Sequence, residues 1–178
     1  MRSPGQMVPS GQQSSSDPPS DRPPDDPRPD GEAGQRDARE APESAFLELQ
    51  ELFREVQAEV EAQDVTCDMR GVCCDFERSG HVLMATELEV EHARRTAGPA
   101  VPEAPVGACP FWVSGRCDHR SGRPLGCRVY FCAPGHAERM GQIAEQYHRR
   151  VVHIHERHGI RYHYGRFVTM IRRRGDEA

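Results

Sequence analysis

Apolar residues in this chain follow two periods, separated by stretches with none. In "AFLELQELFREVQAEVEAQD", Phe46, Leu49, Phe53, Val56 and Val60 recur at three- and four-residue steps with Glu and Gln between them. That spacing puts one apolar stripe on a helix, with Ser44 placed to cap its start. Such a helix is expected to lie against its own small domain. A second stripe, Met140, Ile143, Ala144, Tyr147, Val151 and Ile154, predicts a long helix from about His136 to His158, ended by Gly159. Thr86 followed by Glu89 forms a capping box and predicts a short helix over "ELEVEHARR". "HVLMA" reads as a short strand. "CPFWVSGRC" reads as strand, turn at Ser114-Gly115, and return strand. In "IRYHYGRFVTMI", Ile160, Tyr162 and Tyr164 alternate with Arg161 and His163, which predicts one or two strands. "DVTCDMRGVCCDFERSG", "TAGPAVPEAPVGA" and "DHRSGRPLGCRVYFCAPG" have Gly and Pro breakers and no period, so they are expected to be loop.

The expected fold is α+β: a small, loop-rich cysteine-cluster domain with a flanking N-terminal helix and a long C-terminal helix. Residues 1–44 contain "SSSDPPSDRPPDDPRPDGEAG", with nothing apolar to offset the entropy of ordering, and are expected to form a disordered Pro/Ser/Asp-rich tail. Residues 45–174 form the expected domain, with its cysteine core at 67–132, and 175–178 a frayed end. A mean hydropathy of −0.76 agrees with part of the chain staying outside any core.

Charge narrows the function classes. All 23 basic residues are arginine, which removes Schiff-base lysines and the phosphate-binding lysine of a P-loop. A net charge of −5 argues against general nucleic-acid affinity. The basic C-terminal part, ending in "RRR", reads as a solvated face rather than a nucleic-acid site. The first residues lack the apolar core of a secretory signal, and no stretch approaches the ~20 apolar residues of a membrane span. The expected location is the cytoplasm, with no membrane and an open place for a protein partner.

Against that background the seven cysteines stand out. Cys67, Cys73, Cys74, Cys109, Cys117, Cys127 and Cys132 fall in two groups, and no cysteine lies elsewhere. Clustered cytoplasmic thiols bind metal more often than they form disulfides. A loop-rich segment can also use metal–thiolate bonds in place of a hydrophobic core. Zinc knuckles space their cysteines by two to four residues, and only Cys127–Cys132 matches. Iron–sulfur clusters are larger than one ion and accept more varied spacing. Adjacent Cys73 and Cys74 point to opposite faces of an extended segment. They are read as one ligand beside a buried thiol, as ligands of two metals, or as a vicinal disulfide.

The order C-C-C…C-P-F…G-R-C…R-P-x-x-C-R is similar to the YkgJ-type CxxCxxCC cysteine-cluster family, described as zinc- or iron-chelating domains. The likeness covers Cys67 to Cys132 and is most specific in "RPLGCRVYFC"; "TELEVEHA" resembles the helix start between the family's two cysteine groups. It implies a metal-ligand pool of all seven cysteines, with an iron–sulfur cluster or zinc as cofactor. The family pattern has a further cysteine at position 70, where this chain has Arg70. A related cluster occurs in flagellin lysine methylases, where it looks like an iron–sulfur site. The function expected is a metal-binding protein with an accessory redox or maturation role. The alternatives are a metal-dependent protein-modifying enzyme and a zinc-stabilised interaction module. Nothing in the pattern fixes a reaction.

Other residues qualify as partners of the site. Arg123 and Arg128 flank Cys127, and guanidinium groups there offset the negative charge of a thiolate-bound metal and donate hydrogen bonds to sulfur. Of the nine histidines, His119, between Cys117 and Cys127, is the best single ligand candidate. His155 and His158 lie one helical turn apart and offer a second metal site. "HERH" lacks the i,i+4 spacing of a zinc protease helix.

Overall fold

A computed structural model describes residues 34–65, 67, 71–98, 101–102, 107–131 and 135–173. Arg70, Cys132 and the expected tail before residue 34 lie outside the described residues, as does the expected frayed end. The fold is α+β, with helices and two small antiparallel sheets. Two helices form its frame: α1 (Glu43–Glu61) and α5 (Ala137–Arg157). All five predicted stripe residues of α1 are buried, and they pack with Ile143, Tyr147, Val151 and Ile154 of α5. Around the rim, Arg150 forks onto Glu55 at 2.6 and 2.9 Å, Arg139 reaches Glu59 at 3.1 Å, and Arg157 pairs with Glu48. Exposed pairs of this kind add little stability, so the apolar stripe holds the two helices.

α1 is capped by Pro42 rather than Ser44, because the extended backbone of Pro42 (φ −67°, ψ 153°) leads directly into the helix and leaves Ser44 inside it. Ordered chain also begins before residue 45. Arg36 bridges Ile160, Ala38–Glu40 form a 3-10 turn, and Ala38 and Ala41 are buried in the same core. Two alanines are enough to anchor this segment, although its composition reads as tail.

A second apolar core lies around α3 (Glu87–Ala97). The expected capping box is present: the Thr86 hydroxyl accepts from the Glu89 amide at 3.4 Å, and the Glu89 carboxylate accepts from the Thr86 amide at 2.7 Å. β1 (Met84–Thr86) pairs antiparallel with β4 (Tyr164–Arg166). The chain after β4 is not strand. Phe167–Arg172 form helix α6, with Phe167, Met170 and Ile171 buried against Leu83, Ala85, Val90 and Ala93. The i, i+3, i+4 spacing of these three residues satisfies one helical face, and it overrides the strand preference of "FVTMI".

The expected loops also hold short helices: α2 (Phe76–Ser79), the 3-10 turn Val72–Cys74, and α4 (Leu125–Val129). The predicted hairpin forms as β2 (Trp112–Val113) and β3 (Arg116–Cys117), with positive φ at Ser114 and Gly115. Two consecutive positive-φ residues give the turn whose twist matches a two-residue hairpin. Among the described residues no helix is long and apolar enough to cross a membrane.

Candidate functional site

Six cysteines from both sequence groups line one cavity of about 320 Å³: Cys67, Cys73, Cys74, Cys109, Cys117 and Cys127. All six are free thiols. Each arrives on a different local device. The first group is delivered by Gly71, whose left-handed backbone (φ 64°) turns the chain into the 3-10 turn carrying Cys73 and Cys74. A Cβ at Gly71 would lie 2.2 Å from the Gly115 carbonyl and 2.7 Å from Trp112 Nε1. The close approach of this glycine therefore seats the first group on the hairpin of the second. The Cys109 amide donates to the Cys74 carbonyl at 2.8 Å, which ties the two groups directly through the backbone. Cys117 sits on β3 opposite Trp112.

Cys127 comes from α4, and α4 is held by a residue distant in sequence. The second oxygen of Glu89 accepts from the Leu125 amide at 2.8 Å. One buried carboxylate thus closes the start of α3 and supplies the side-chain acceptor that α4, capped by Pro124, lacks. Burial pushes the Glu89 carboxyl above its usual range, against the hydrogen bonds from Thr86 and Leu125 that favour the ion.

The thiols are unequal. Hydrogen bonding with Cys109, Cys117 and Cys73, together with burial, raises the Cys74 thiol. Its three neighbours move the other way: hydrogen bonding with Cys74 lowers Cys73 and Cys117 to about 6, helped by Arg123 nearby, and lowers Cys109. Cys127 touches the cavity but is densely surrounded, and burial pushes its thiol well up. Cys73 and Cys74 both lie in the 3-10 turn and line the same cavity as free thiols. Among the described residues no group of three or more His, Cys, Asp or Glu side chains is arranged to hold a metal ion. The cavity is far larger than the space one water needs.

Arg123 and Arg128 both line the cavity. Arg128 is committed to the fold: Nε and a terminal nitrogen donate to the carbonyls of Arg123 (2.9 Å) and Ser121 (2.8 Å), and its plane lies 4.2 Å from the Phe53 ring. Burial lowers its pKa to about 10. The Nε of Arg123 donates to the Arg120 carbonyl at 3.3 Å. His119 also lines the cavity, but its Nε2 lies 3.0 Å from the Ala93 carbonyl and so carries the proton there, leaving Nδ1 as the remaining donor atom. His155 and His158 do not share a site. His155 is buried with Nδ1 facing the Arg161 carbonyl at 3.2 Å, and His158 faces Glu48 at 2.9 Å.

Several lining residues carried no sequence signal. His81 stacks on Tyr130 with centroids 4.2 Å apart, and Phe111 and Phe167 complete an aromatic wall. Gln57 and Glu61 join from α1. They come from five separate stretches and share no spacing that could be read in one dimension. Compared with known proteins, the chain matches no protein-family model, no curated protein and no solved structure.

Proposed function

We propose that this chain is a metal-binding protein that holds an iron–sulfur cluster or zinc through its clustered cysteines, in an accessory redox or maturation role. One observation carries the reading: six cysteines from two sequence groups line a single cavity. Soft thiolate donors select zinc and iron–sulfur clusters over hard cations. The donor set therefore fits either group, and the cavity volume favours the larger one. The donor pool among the described residues is Cys67, Cys73, Cys74, Cys109, Cys117 and Cys127. The likeness to the YkgJ-type family supports the same cofactor class.

The chain's own contribution is positioning and charge. Cys73 and Cys117 are predisposed to the thiolate form that a metal needs. Arg123 stabilises that negative charge. Phe111 and Phe167 limit water at the sulfurs, which strengthens the electrostatic interactions there. A bound cluster would supply one-electron transfer or a Lewis-acid centre.

Anaerobic purification followed by metal analysis and a visible spectrum tests the reading. A brown protein with stoichiometric iron and sulfide supports a cluster. A colourless protein with tightly held zinc favours a zinc-stabilised module instead. Stable folding with no metal in either preparation would defeat the proposal. Cys127→Ser should lose the metal, and His155→Ala should retain it.

A further inference from the structure

The sulfurs account for one side of the cavity and leave its basic, aromatic wall unexplained. Building on the metal-site reading, we propose that this wall is a subsite for a small molecule bearing a phosphate or carboxylate group, bound beside the metal by Arg116, Arg120 and Arg123.

Size is the first argument. About 320 Å³ falls at the small end of the ~300–1,000 Å³ typical of small-molecule sites, and it far exceeds the needs of one ion.

Charge is the second. Four guanidinium groups, Arg116, Arg120, Arg123 and Arg128, line the cavity against one carboxylate, Glu61. Arg128 is spent on carbonyls and the Phe53 ring. Among the described residues, Arg116, Arg120 and Arg123 have no carboxylate partner; the one side-chain bond of Arg123 goes to a carbonyl. Elsewhere the fold pairs its arginines readily, as at Glu55, Glu59 and Glu48. Among the described residues, like charges are therefore gathered at the cavity with a single lining carboxylate, Glu61. The repulsion is felt: Arg123 and Arg120 both act to lower the pKa of Arg128, after the larger effect of burial. A four-thiolate zinc or cubane centre carries a net charge of about −2 and offsets only part of this excess. Guanidinium forks match the oxygens of phosphate and carboxylate.

Shape is the third. The packed rings of His81 and Tyr130, with Phe76 5.9 Å from His81, line the same cavity as these cations and supply apolar surface. Apolar walls with a few convergent polar groups are the usual make-up of a small-molecule site.

The full chain, purified anaerobically, is titrated by calorimetry with pyrophosphate and, separately, with citrate, and metal content is measured on the same samples. One of the two should bind at one per chain, and which one distinguishes phosphate from carboxylate recognition. The double variant Arg116→Gln/Arg120→Gln should weaken binding about tenfold or more, with its metal content unchanged. Arg157→Gln, at an arginine that pairs with Glu48 and does not line the cavity, should have no effect. If the double variant fails to fold by circular dichroism, Arg116→Gln on the exposed hairpin serves instead, with a severalfold loss expected. Absence of binding by both oxyanions, or variants that bind like the parent chain, would overturn the subsite. A protein that holds no metal yet binds an oxyanion through Arg116 and Arg120 would sink the metal reading and leave the subsite standing.

Discussion

Gly71 is the residue on which the two cysteine groups turn. Alanine there meets the Gly115 carbonyl at 2.2 Å and must also hold a left-handed backbone. Gly71→Ala should cost at least ~2 kcal/mol, by strain plus displaced backbone. Gly80→Ala has the same φ of 64° with nothing within 4 Å, and should cost only about 1 kcal/mol. Urea unfolding of the two variants separates close approach from backbone strain alone. The thiols give a second test at this scale. An ordinary thiol titrates near 8.5 and is mostly protonated at neutral pH. Cys73 and Cys117, lowered to about 6, remain thiolates there and lose that form only as pH falls through about 6. In metal-free protein, their iodoacetamide labelling should therefore persist to about pH 6, while Cys127, pushed up by burial, should lag. Peptide mass spectrometry across pH reads this out, and one shared midpoint near that of a free thiol would contradict the inequality of the thiols. The clustering of cysteines was legible in the sequence, and six of them line one cavity. Their inequality was not legible, since it depends on burial and on neighbours distant in sequence.

Among elements, α4 shows how a cavity-lining cysteine can be placed from a distance. Its five residues carry Cys127 and cannot sustain a helix alone. Glu89, from α3, supplies an acceptor to the α4 amide Leu125 N and caps its own helix with the other oxygen. Glu89→Ala leaves the buried amides of Thr86 and Leu125 without a partner and should cost about 3 kcal/mol. It should also lower metal retention through Cys127. Glu89→Gln keeps one acceptor oxygen and should recover part of both losses, measured by thermal unfolding and metal content. The capping box was readable from Thr86 and Glu89 alone, but the second use of Glu89 spans 36 residues of sequence. α6 was misread for a related reason: Phe, Val, Thr and Ile favour strands locally, and only the core around Leu83 and Ala93 selects the helical face.

At the scale of the whole molecule, the two apolar cores differ in what they contain. The α1–α5 core holds no cysteine, whereas the α3–α6 core includes Cys74 and Cys109, with Cys73, Cys117 and Cys127 packed against it. Removing a bound metal should therefore loosen the second core and spare the first. Hydrogen exchange after anaerobic chelation should keep protection in Glu43–Glu61 and Ala137–Arg157 and lose it at 72–79 and 107–117. Uniform loss across both cores would show that the metal holds the entire fold.

By itself the sequence determined the two amphipathic helices, the hairpin turn, the capping box and the presence of a thiol-rich centre. Each of these follows from spacing along the chain or from residue type. Tertiary structure decided how the thiols differ in burial and neighbours, that Glu89 serves two helices, that "FVTMI" is helical, and that arginines and aromatic rings line the same cavity as the sulfurs. Those outcomes rest on contacts between segments distant in sequence, and a local pattern carries no record of them.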